Sequence, residues 1–351
     1  MTEIQGCYKS ITLASGLALT LFLNLLPASA KDRIAPDYLE FIGTCDASAA
    51  VPLDQRADRK KFVVAGDENS ILNIYDWNAA AEGERIDLVE LIPGLCQKEE
   101  LDLEGAAKLG ETTYWIGSHS RTKDGKLALE RHIFFALEFR QEKNKTRAIL
   151  KGSPCNTILK YLVEDPGYKS MNFEDFKSEE DKELAGESDR GFNIEALSAW
   201  KGKHLLLGLR GPLRQGKAIL IPLLNPAEVI EKEKPVFGEI ITLDLDGYGI
   251  RGMEYIPALQ AYAILGGSVG DSHDGQLYLW SGRSEDTKPK KIENFVLRDK
   301  FNPESVLYFD ESRSIFILSD DGNQRYHGIK CKDLEEKGIT VFFRGFSVEK
   351  H

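Results

Sequence analysis

Short apolar segments, separated by turns that contain Gly or Asp, recur along the chain after residue 31. Segments of this length and spacing are typical of β-strands joined by tight turns. Long stretches with the helical spacing of apolar residues are almost absent after residue 31. The pattern of apolar and polar positions therefore predicts an all-β protein.

The predicted strands fall into repeated units, and each unit begins with a short strand that carries an acidic residue. These first strands lie at 45–49, 102–106, 193–197, 251–255 and 302–306. A second, more apolar strand follows at 62–67, 114–118, 205–208, 263–267 and 315–320. Third strands are predicted at 71–77, 132–139, 218–224 and 276–280, and fourth strands at 86–91, 147–150, 239–243 and 291–295. In the last unit the remaining candidates are 328–332 and 341–348.

The acidic residues that mark the five units are Asp46, Glu104, Glu195, Glu254 and Glu304, at intervals of 58, 91, 59 and 50 residues. Without the dissimilar segment 155–190, the long interval agrees with the others. Four strands in each unit of this size indicate a β-propeller. We predict five blades, with a sixth blade from 155–190 or from strand 38–42 as the alternative. A pair of β-sandwiches would not explain an acidic residue at the same place in every unit.

The segment 155–190 differs from the repeats in both pattern and charge. Ile158, Leu159 and Leu162 have helical spacing, and Pro166 ends the pattern. Between residues 164 and 189 there are ten acidic and three basic residues, a net charge of −7. We interpret the segment as an insertion with short helices or disorder. It is either a solvated loop or a lid over one face that repels anions or binds cations.

The first 30 residues have the order of a secretory signal peptide: a polar start, an apolar run, the small residues Ala28-Ser29-Ala30 and then charges. An uncleaved membrane anchor is the alternative. Cleavage would leave a single propeller domain at 31–351 in the periplasm or outside the cell.

Cleavage would remove Cys7 and leave Cys45, Cys96, Cys155 and Cys331. An even number of cysteines in an exported protein permits two disulfides, and the spacing leaves three pairings open. We favour Cys96–Cys155 and Cys45–Cys331, because the second pair would tie the two ends of the chain together.

The formal charge of the chain is −11, from 45 basic and 56 acidic residues. This balance argues against binding to nucleic acid or to an anionic membrane surface. The sequence contains no phosphate-cradling loop, dinucleotide fingerprint or Gly-x-Ser-x-Gly motif. We expect a monomer whose partner is a small molecule or a protein of unknown kind.

The propeller architecture predicts where the polar residues of the repeats meet. The start of the first strand and the end of the second strand of a blade lie at the same face. The first strands would bring to this face Asp46, Asp102, Glu104, Asn193, Glu195, Arg251, Glu254, Asn302 and Glu304. The second strands would bring Asp67, Glu68, His119, Arg121, Arg210, Asp320 and Asp321.

Carboxylates this close to one another raise each other's pKa or require a cation, and such oxygen-rich groups suit Ca²⁺. The candidate metal ligands are Glu104, Glu195, Glu304, Asp46 and Asp320. Their alternative role is to close the ring by hydrogen bonds to backbone N–H groups of the next blade.

Three further residues are candidates for chemistry. His119 could act as a base, and Arg121 and Arg210 could hold an anionic substrate. The alternatives are a structural turn residue for His119 and structural ion pairs for the two arginines.

Five motifs together resemble a bacterial family known only as a domain of unknown function, number 3616. They are Gly43–Ala49, Asp102–Ala106, Trp115–Arg121, Leu207–Pro212 and Leu318–Gly322. The pattern is also similar to calcium-dependent lactonases and esterase-like phytases. The family carries no established activity, and the wider similarity implies a propeller.

Two functions remain open at this point. The first is a cation-dependent hydrolase of small esters, lactones or phosphoesters at the channel mouth. The second is a non-catalytic binding or scaffold propeller of the bacterial envelope.

Overall fold

The computed structural model describes residues 38–348 apart from 57, 58, 68, 97–99, 144, 175, 271–273, 294, 298, 299 and 311–313. The predicted signal peptide and Glu68 lie outside the described residues. No helix within the described part is long and apolar enough to span a membrane.

The described residues are predominantly strands. In chain order the strands are β1 Leu39–Ile42, β2 Ala49–Arg56, β3 Arg59–Ala65, β4 Ile71–Asp76, β5 Ala79–Asp87, β6 Leu103–Leu109, β7 Thr112–Gly117, β8 Phe134–Glu142, β9 Lys145–Cys155, β10 Asn193–Trp200, β11 His204–Arg214, β12 Lys217–Leu223, β13 Ile241–Leu243, β14 Gly249–Ile256, β15 Ala261–Gly267, β16 Gln276–Trp280, β17 Lys290–Lys291, β18 Pro303–Phe309, β19 Ser314–Ser319, β20 Arg325–Tyr326, β21 Ile329–Lys330 and β22 Phe342–Val348. The α-helices are α1 Ile158–Glu164, α2 Pro226–Val229 and α3 Cys331–Glu335. Single 3₁₀ turns lie at Leu88–Glu90, Leu129–Arg131, Lys169–Met171, Lys182–Leu184 and Pro257–Leu259.

The strands form five antiparallel sheets of four strands, so the predicted five-bladed propeller is confirmed. Blades 1 to 4 are β2–β5, β6–β9, β10–β13 and β14–β17, each in chain order from the inside outward. Blade 5 has the order β18, β19, β22 and β1. Each of the inner strands β2, β6, β10, β14 and β18 packs on the next, and β18 packs on β2. The ring of inner strands is therefore closed.

Strand β1 comes from the start of the described chain but completes the last blade. Leu39 lies opposite Gly345 and Ile42 opposite Phe342 in an antiparallel ladder with β22. The idea that strand 38–42 begins a sixth blade was therefore wrong. The segment 328–332 does not form a blade strand either: it contains the short hairpin strand β21 and the start of α3.

Apolar side chains fill the spaces between neighbouring blades. Trp115 and Phe135 of blade 2, for example, are fully buried against Val51 and Val63 of blade 1. Similar clusters lie between each other pair of adjacent blades, including blades 5 and 1. Burial of apolar surface on both faces of every sheet drives the radial arrangement. It leaves the polar ends of the inner strands facing a common centre.

The insertion 155–190 contains the predicted short helices. Ile158, Leu159 and Leu162 of α1 are buried in the core between blades 2 and 3. Two isolated β-bridges, Arg121 to Ala185 and Lys126 to Glu180, join the insertion to a loop of blade 2. The described part of the insertion adds no strand to a sheet, so it is not a sixth blade.

One of the two predicted disulfides is present. Cys45 and Cys331 are bonded across a sequence separation of 286 residues. The predicted Cys96–Cys155 disulfide was wrong, because neither residue is in a disulfide. Cys155 ends β9, where its Sγ lies 3.3 Å from the Thr157 hydroxyl.

Candidate functional site

A β-bulge interrupts four of the five inner strands at a single charged residue. The ladder with the second strand skips Glu104, Glu195, Arg251 and Glu304. A bulge leaves one residue without a ladder partner and redirects its side chain. All four side chains line one central cavity, together with Ser48 at the start of blade 1. The bulges thus bring one charged side chain from each of blades 2 to 5 to the same place, and Ser48 is the contribution of blade 1.

Small residues follow these positions because the inner strands lie very close together. A Cβ atom on Gly252, directly after Arg251, would lie 2.5 Å from the carbonyl oxygen of Glu304. A Cβ on Gly105, directly after Glu104, would lie 2.9 Å from the Cβ of Leu197. Such contacts exclude larger side chains, and they account for the repeated pairing of a charged residue with Gly, Ala or Ser.

In blade 4 the sequence analysis assigned the wrong residue, Glu254, to the position that Glu104 holds in blade 2. The residue equivalent to Glu104 is Arg251, whereas Glu254 lies farther along β14, opposite Ala263. Burial raises the pKa of Glu254 to about 8, and Asp310 adds to the shift from beyond the far end of β18. Glu254 therefore does not join the other predicted carboxylates.

The cavity has a volume of about 460 Å³ and lies at the face where the inner strands begin. Its wall combines starts of first strands with residues that follow second strands, and the insertion adds Gly186 and Glu187. The charged and amide side chains that line it are Asp67, Glu100, Asp102, Glu104, Arg121, Lys123, Arg131, Glu187, Asn193, Glu195, Arg210, Arg251, Asn302, Glu304, Asp320, Asn323, Lys330 and Lys332. We call it the central pocket.

On one side of the central pocket, carboxylates and arginines are paired. Arg210 donates from Nη1 to Glu195 Oε1 at 2.8 Å, and Arg251 Nε lies 3.3 Å from Glu195 Oε2. Arg251 also donates to Glu304, and Asn193 donates to Glu195 at 2.9 Å. We call these residues — Asn193, Glu195, Arg210, Arg251 and one oxygen of Glu304 — the arginine side.

Beside the arginine side, acidic groups face one another. Ligand atoms of Asp46, Glu304 and Asp320 lie within 4.8 Å of one another. Asp46 accepts from the Ser48 hydroxyl at 2.7 Å and from the Asp67 N–H at 2.9 Å, and its carboxyl also contacts that of Asp67. We call Asp46, Asp67, Glu304 and Asp320 the carboxylate side.

The pKa values on the carboxylate side are shifted upward. Burial, with repulsion from Asp320, raises the pKa of Asp46 to about 7. Burial and the charge of Asp46 raise the pKa of Asp67 well above its usual range. The pKa of Asp320 is raised as well, chiefly by burial. Burial and mutual repulsion make ionisation of all three acids less favourable, so they form a site that needs protons or a cation.

A second group of carboxylates adjoins the first. Ligand atoms of Asp67, Asp102 and Glu104 also lie within 4.8 Å of one another. Asp102 accepts from Arg131 at 3.0 Å and from the Ser118 hydroxyl. Burial and the charge of Glu195 raise the pKa of Glu104 well above its usual range. Contact between Asp46 and Asp67 joins the two groups.

Among the described residues, five buried side-chain oxygen atoms at the starts of the first strands have no hydrogen-bond donor. They are Oε2 of Glu104, Oδ1 of Asn193, Oε2 of Glu195, Oδ1 of Asn302 and Oε2 of Glu304, and of these Glu195 Oε2 lies 3.3 Å from Arg251 Nε in an ion pair. Asn302 and Glu304 are each 5% exposed. A buried acceptor without a donor costs about 1–3 kcal/mol, so a row of them indicates a missing positive partner.

His119 lies behind the wall of the central pocket. It is 1% exposed, and its Nδ1–H donates to the Gly117 carbonyl at 2.8 Å. Its ring stacks on His132 at 5.2 Å. Burial, aided by His132, lowers the pKa of His119 to about 3, so its ring is neutral.

The two predicted substrate-binding arginines line the central pocket, but both guanidinium groups have protein partners. Arg121 forms a two-pronged pair with Glu174 of the insertion, at 2.7 and 2.8 Å. Arg210 donates to Glu195 and also to the backbone carbonyls of Ser268 and Gly270.

Several pocket residues were not predicted from the sequence. Ser48 follows Asp46 by two residues, as Glu104 follows Asp102, so alignment of the repeats on Asp or Asn would have found it. Arg131, Asn323, Lys330 and Lys332 lie in loops or short elements outside the repeat, where no periodic signal marks them.

The fold and the motifs agree with a known family. A model of the family described as "Protein of unknown function (DUF3616)" matches residues 53–326. The chain belongs to this family, as its motifs predicted. No curated protein sequence matches the chain.

Two solved structures with a similar course of the chain have little sequence identity with this protein. Glutaminyl cyclase from Myxococcus xanthus is 11% identical with a TM-score of 0.40, over 88% of this chain and 95% of that one. The β-propeller domain of Cps50 (Swd1) from Myceliophteria thermophila is 8% identical with a TM-score of 0.35, over 88% of this chain and all of that domain. Neither similarity carries an argument about activity.

Proposed function

We propose that the protein binds a hard divalent cation, with Ca²⁺ as the first candidate, in the central pocket. Asp46, Glu304 and Asp320 are the proposed ligands. The single observation that supports this assignment is their convergence within 4.8 Å beside two buried oxygens without a donor, Glu304 Oε2 and Asn302 Oδ1. Carboxylate and amide oxygens are the ligands that Ca²⁺ prefers.

The arginines of the central pocket do not serve as the missing positive partner. Arg210 and Arg251 are already paired with Glu195, and Arg251 reaches only one oxygen of Glu304. Glu195 therefore holds the two arginines in place rather than a cation. Glu104 belongs to the adjoining group with Asp67 and Asp102, which offers further oxygens to the same centre or to a second cation.

We further propose that the bound cation supports hydrolysis of a small ester, lactone or phosphoester. A divalent cation supplies Lewis acidity toward a carbonyl or phosphoryl oxygen. The chain's own contribution is a polar cavity and a buried carboxyl, Glu104, whose pKa is raised well above its usual range by burial and by the charge of Glu195. His119 has no part in this proposal because its ring is buried behind the wall.

A non-catalytic binding function is the second candidate. The observation that favours it is the complete pairing of Arg121 and Arg210, which leaves neither guanidinium ready to hold an anionic substrate. In that case the central pocket would bind a cation or a polar ligand without chemistry.

We also propose that the protein is exported and monomeric. The Cys45–Cys331 disulfide supports export, because structural disulfides persist mainly in oxidising compartments.

Calorimetric titration with Ca²⁺, followed by thermal unfolding with and without the ion, tests the cation site. A ligand at a hundredfold excess over its Kd adds about 2.7 kcal/mol to the free energy of unfolding. We expect this gain in the wild type and its loss in the Glu304→Gln/Asp320→Asn variant. Glu254→Gln is the matched control, since it removes a buried carboxyl from outside the central pocket.

The proposal would be contradicted if Ca²⁺ stabilised the Glu304→Gln/Asp320→Asn variant as much as the Glu254→Gln control. It would also be contradicted if the wild type bound none of Ca²⁺, Mg²⁺, Mn²⁺ and Zn²⁺. Screening the cation-loaded protein against nitrophenyl esters, lactones and phosphoesters separates the two functions. Binding without any chelator-sensitive turnover would favour the non-catalytic candidate.

A further inference from the structure

The segment from Asp320 to Glu335 forms one wall of the central pocket. It provides the proposed ligand Asp320, and Asn323, Lys330 and Lys332 also line the cavity. It contains the two-stranded hairpin β20–β21 and the helix α3, and it lies outside the five blade sheets. We call residues 320–335 the wall segment.

The wall segment is fastened to the residues directly before Asp46. Cys331 is bonded to Cys45. Glu335 Oε2 accepts from the Cys45 N–H at 2.9 Å and from the Thr44 hydroxyl at 3.3 Å. Asp321 N–H donates to the Cys45 carbonyl at 2.8 Å. All these contacts meet within two residues of Asp46.

This fastening spans the junction between blades 5 and 1. Asp46 precedes the first strand of blade 1, whereas Asp320 follows the second strand of blade 5. The two residues meet in an isolated β-bridge, outside any continuous ladder. The Ala47 N–H also donates to the Ser319 carbonyl at 3.2 Å, and the contacts around the disulfide add to this link between the two proposed ligands.

Little apolar packing supports the wall segment. Among the described residues, the apolar cluster around the disulfide contains Val341 as its one other buried member, with Tyr326 and Leu334 partly buried. The clusters between blades each bury many more side chains. A region with so small a core opens at low free-energy cost unless a covalent bond restrains it.

We propose that the Cys45–Cys331 disulfide positions Asp46 and Asp320 for the cation, so that reduction of this bond weakens cation binding. This inference rests on the proposed cation site. A dithiol such as dithiothreitol would deliver two electrons and two protons, giving two thiols on the protein and a cyclic disulfide on the reductant. Full cation affinity would then belong to the oxidised protein.

The test is Ca²⁺ titration of the full chain in its oxidised, reduced and reoxidised states, and of the Cys45→Ser/Cys331→Ser variant. Loss of groups that orient metal ligands typically weakens metal binding by about 10–100-fold, so we expect at least about a tenfold rise in Kd. Reoxidation should restore the original Kd. Cys155→Ser should leave it unchanged, because this thiol lies at the end of β9 in blade 2.

A second control separates positioning from general stability. Val63→Ala removes a fully buried side chain between blades 1 and 2, so it lowers stability without touching the wall segment. We expect its Kd to match the wild type. Should the serine variant not fold, the reduced wild type, checked by circular dichroism, gives the same comparison.

Two results would contradict the inference or the site on which it rests. A Kd that stays within about twofold after reduction of a folded protein would overturn the positioning role and leave the cation site intact, because loss of an orienting group should cost more. Failure of the oxidised wild type to bind any cation would instead overturn the proposed site itself.

Discussion

The arginine side and the carboxylate side of the central pocket are built from equivalent positions of the repeat, yet their charges are treated differently. On the arginine side, Glu195 is held by Arg210, Arg251 and Asn193. On the carboxylate side, Asp46, Asp67 and Asp320 face one another, and all have raised pKa values. The first side carries its own counter-charges, and the second requires them from outside.

The presence or absence of an arginine partner distinguishes structural carboxylates from candidate functional ones, a distinction that the sequence alone does not make. A buried carboxylate that is paired with an arginine has its charge compensated within the protein. A buried carboxylate beside two others destabilises the protein unless a proton or a cation joins it. Glu304 belongs to both sides, because one oxygen meets Arg251 and the other has no donor.

The largest expected effect comes from removing the counter-charge of the arginine side. Arg251→Met would leave Glu195 and Glu304 with less compensation in a buried setting. Breaking one partner of a buried ion pair costs about 3–5 kcal/mol, so we expect the free energy of unfolding to fall by that amount in urea titrations. The control is Arg140→Met, at an exposed pair with Glu138. A loss for Arg251→Met no larger than that of the control would remove the distinction between the two sides.

A smaller, opposite effect is expected on the carboxylate side in the absence of cations. The folded pKa of Asp46, about 7, exceeds the unfolded value of about 3.9, so the folded state holds the extra proton between these pH values. This contribution to stability is full at low pH and is lost as the pH rises to about 7. Asp46→Asn keeps the shape and removes the effect, so it should stabilise the metal-free protein at neutral pH by at least about 1 kcal/mol, the free-energy equivalent of one pKa unit.

The two buried histidines give the opposite slope over the same pH range. The pKa of His119 is lowered to about 3 and that of His132 to about 4, both chiefly by burial. Their unfolded forms bind protons below a pH of about 6.5, so stability falls as the pH falls. In Asp46→Asn the free energy of unfolding should therefore rise more steeply with pH between about 4 and 7 than in the wild type. An unchanged slope in urea titrations across this range would show that Asp46 is ionised at neutral pH.

The smallest expected effect concerns His119. His119→Asn retains a residue that tolerates the backbone φ of 55° and removes the ring that stacks on His132. Because His119 lies behind the pocket wall and is not a proposed ligand, the Kd for Ca²⁺ should change by less than about twofold. A change of this size is typical of a substitution away from a binding site. A large rise in Kd in calorimetry would place His119 in the site after all.

The sequence by itself determined the architecture. Alternating short strands and a repeat that begins with a polar residue gave five blades, and the motifs identified the family. It also predicted that Glu104, Glu195 and Glu304 share one face, since the register of each repeat places them alike. The Cys45–Cys331 pair was predicted correctly, although spacing left its alternatives open.

Only the tertiary structure decided which of these residues are paired and which are not. In blade 4 the residue equivalent to Glu104 is Arg251, and the residue two positions earlier is Gly249, where a Cβ would lie 1.9 Å from the Arg210 carbonyl oxygen. Blade 4 therefore has no acidic residue at either of the two positions that mark the other units, and the sequence analysis chose Glu254 instead. Pairing of Arg121 with Glu174 and the approach of Asp46 to Asp320 both join segments far apart in the chain. Periodicity encodes contacts within a blade, whereas charge compensation in the central pocket depends on contacts between blades.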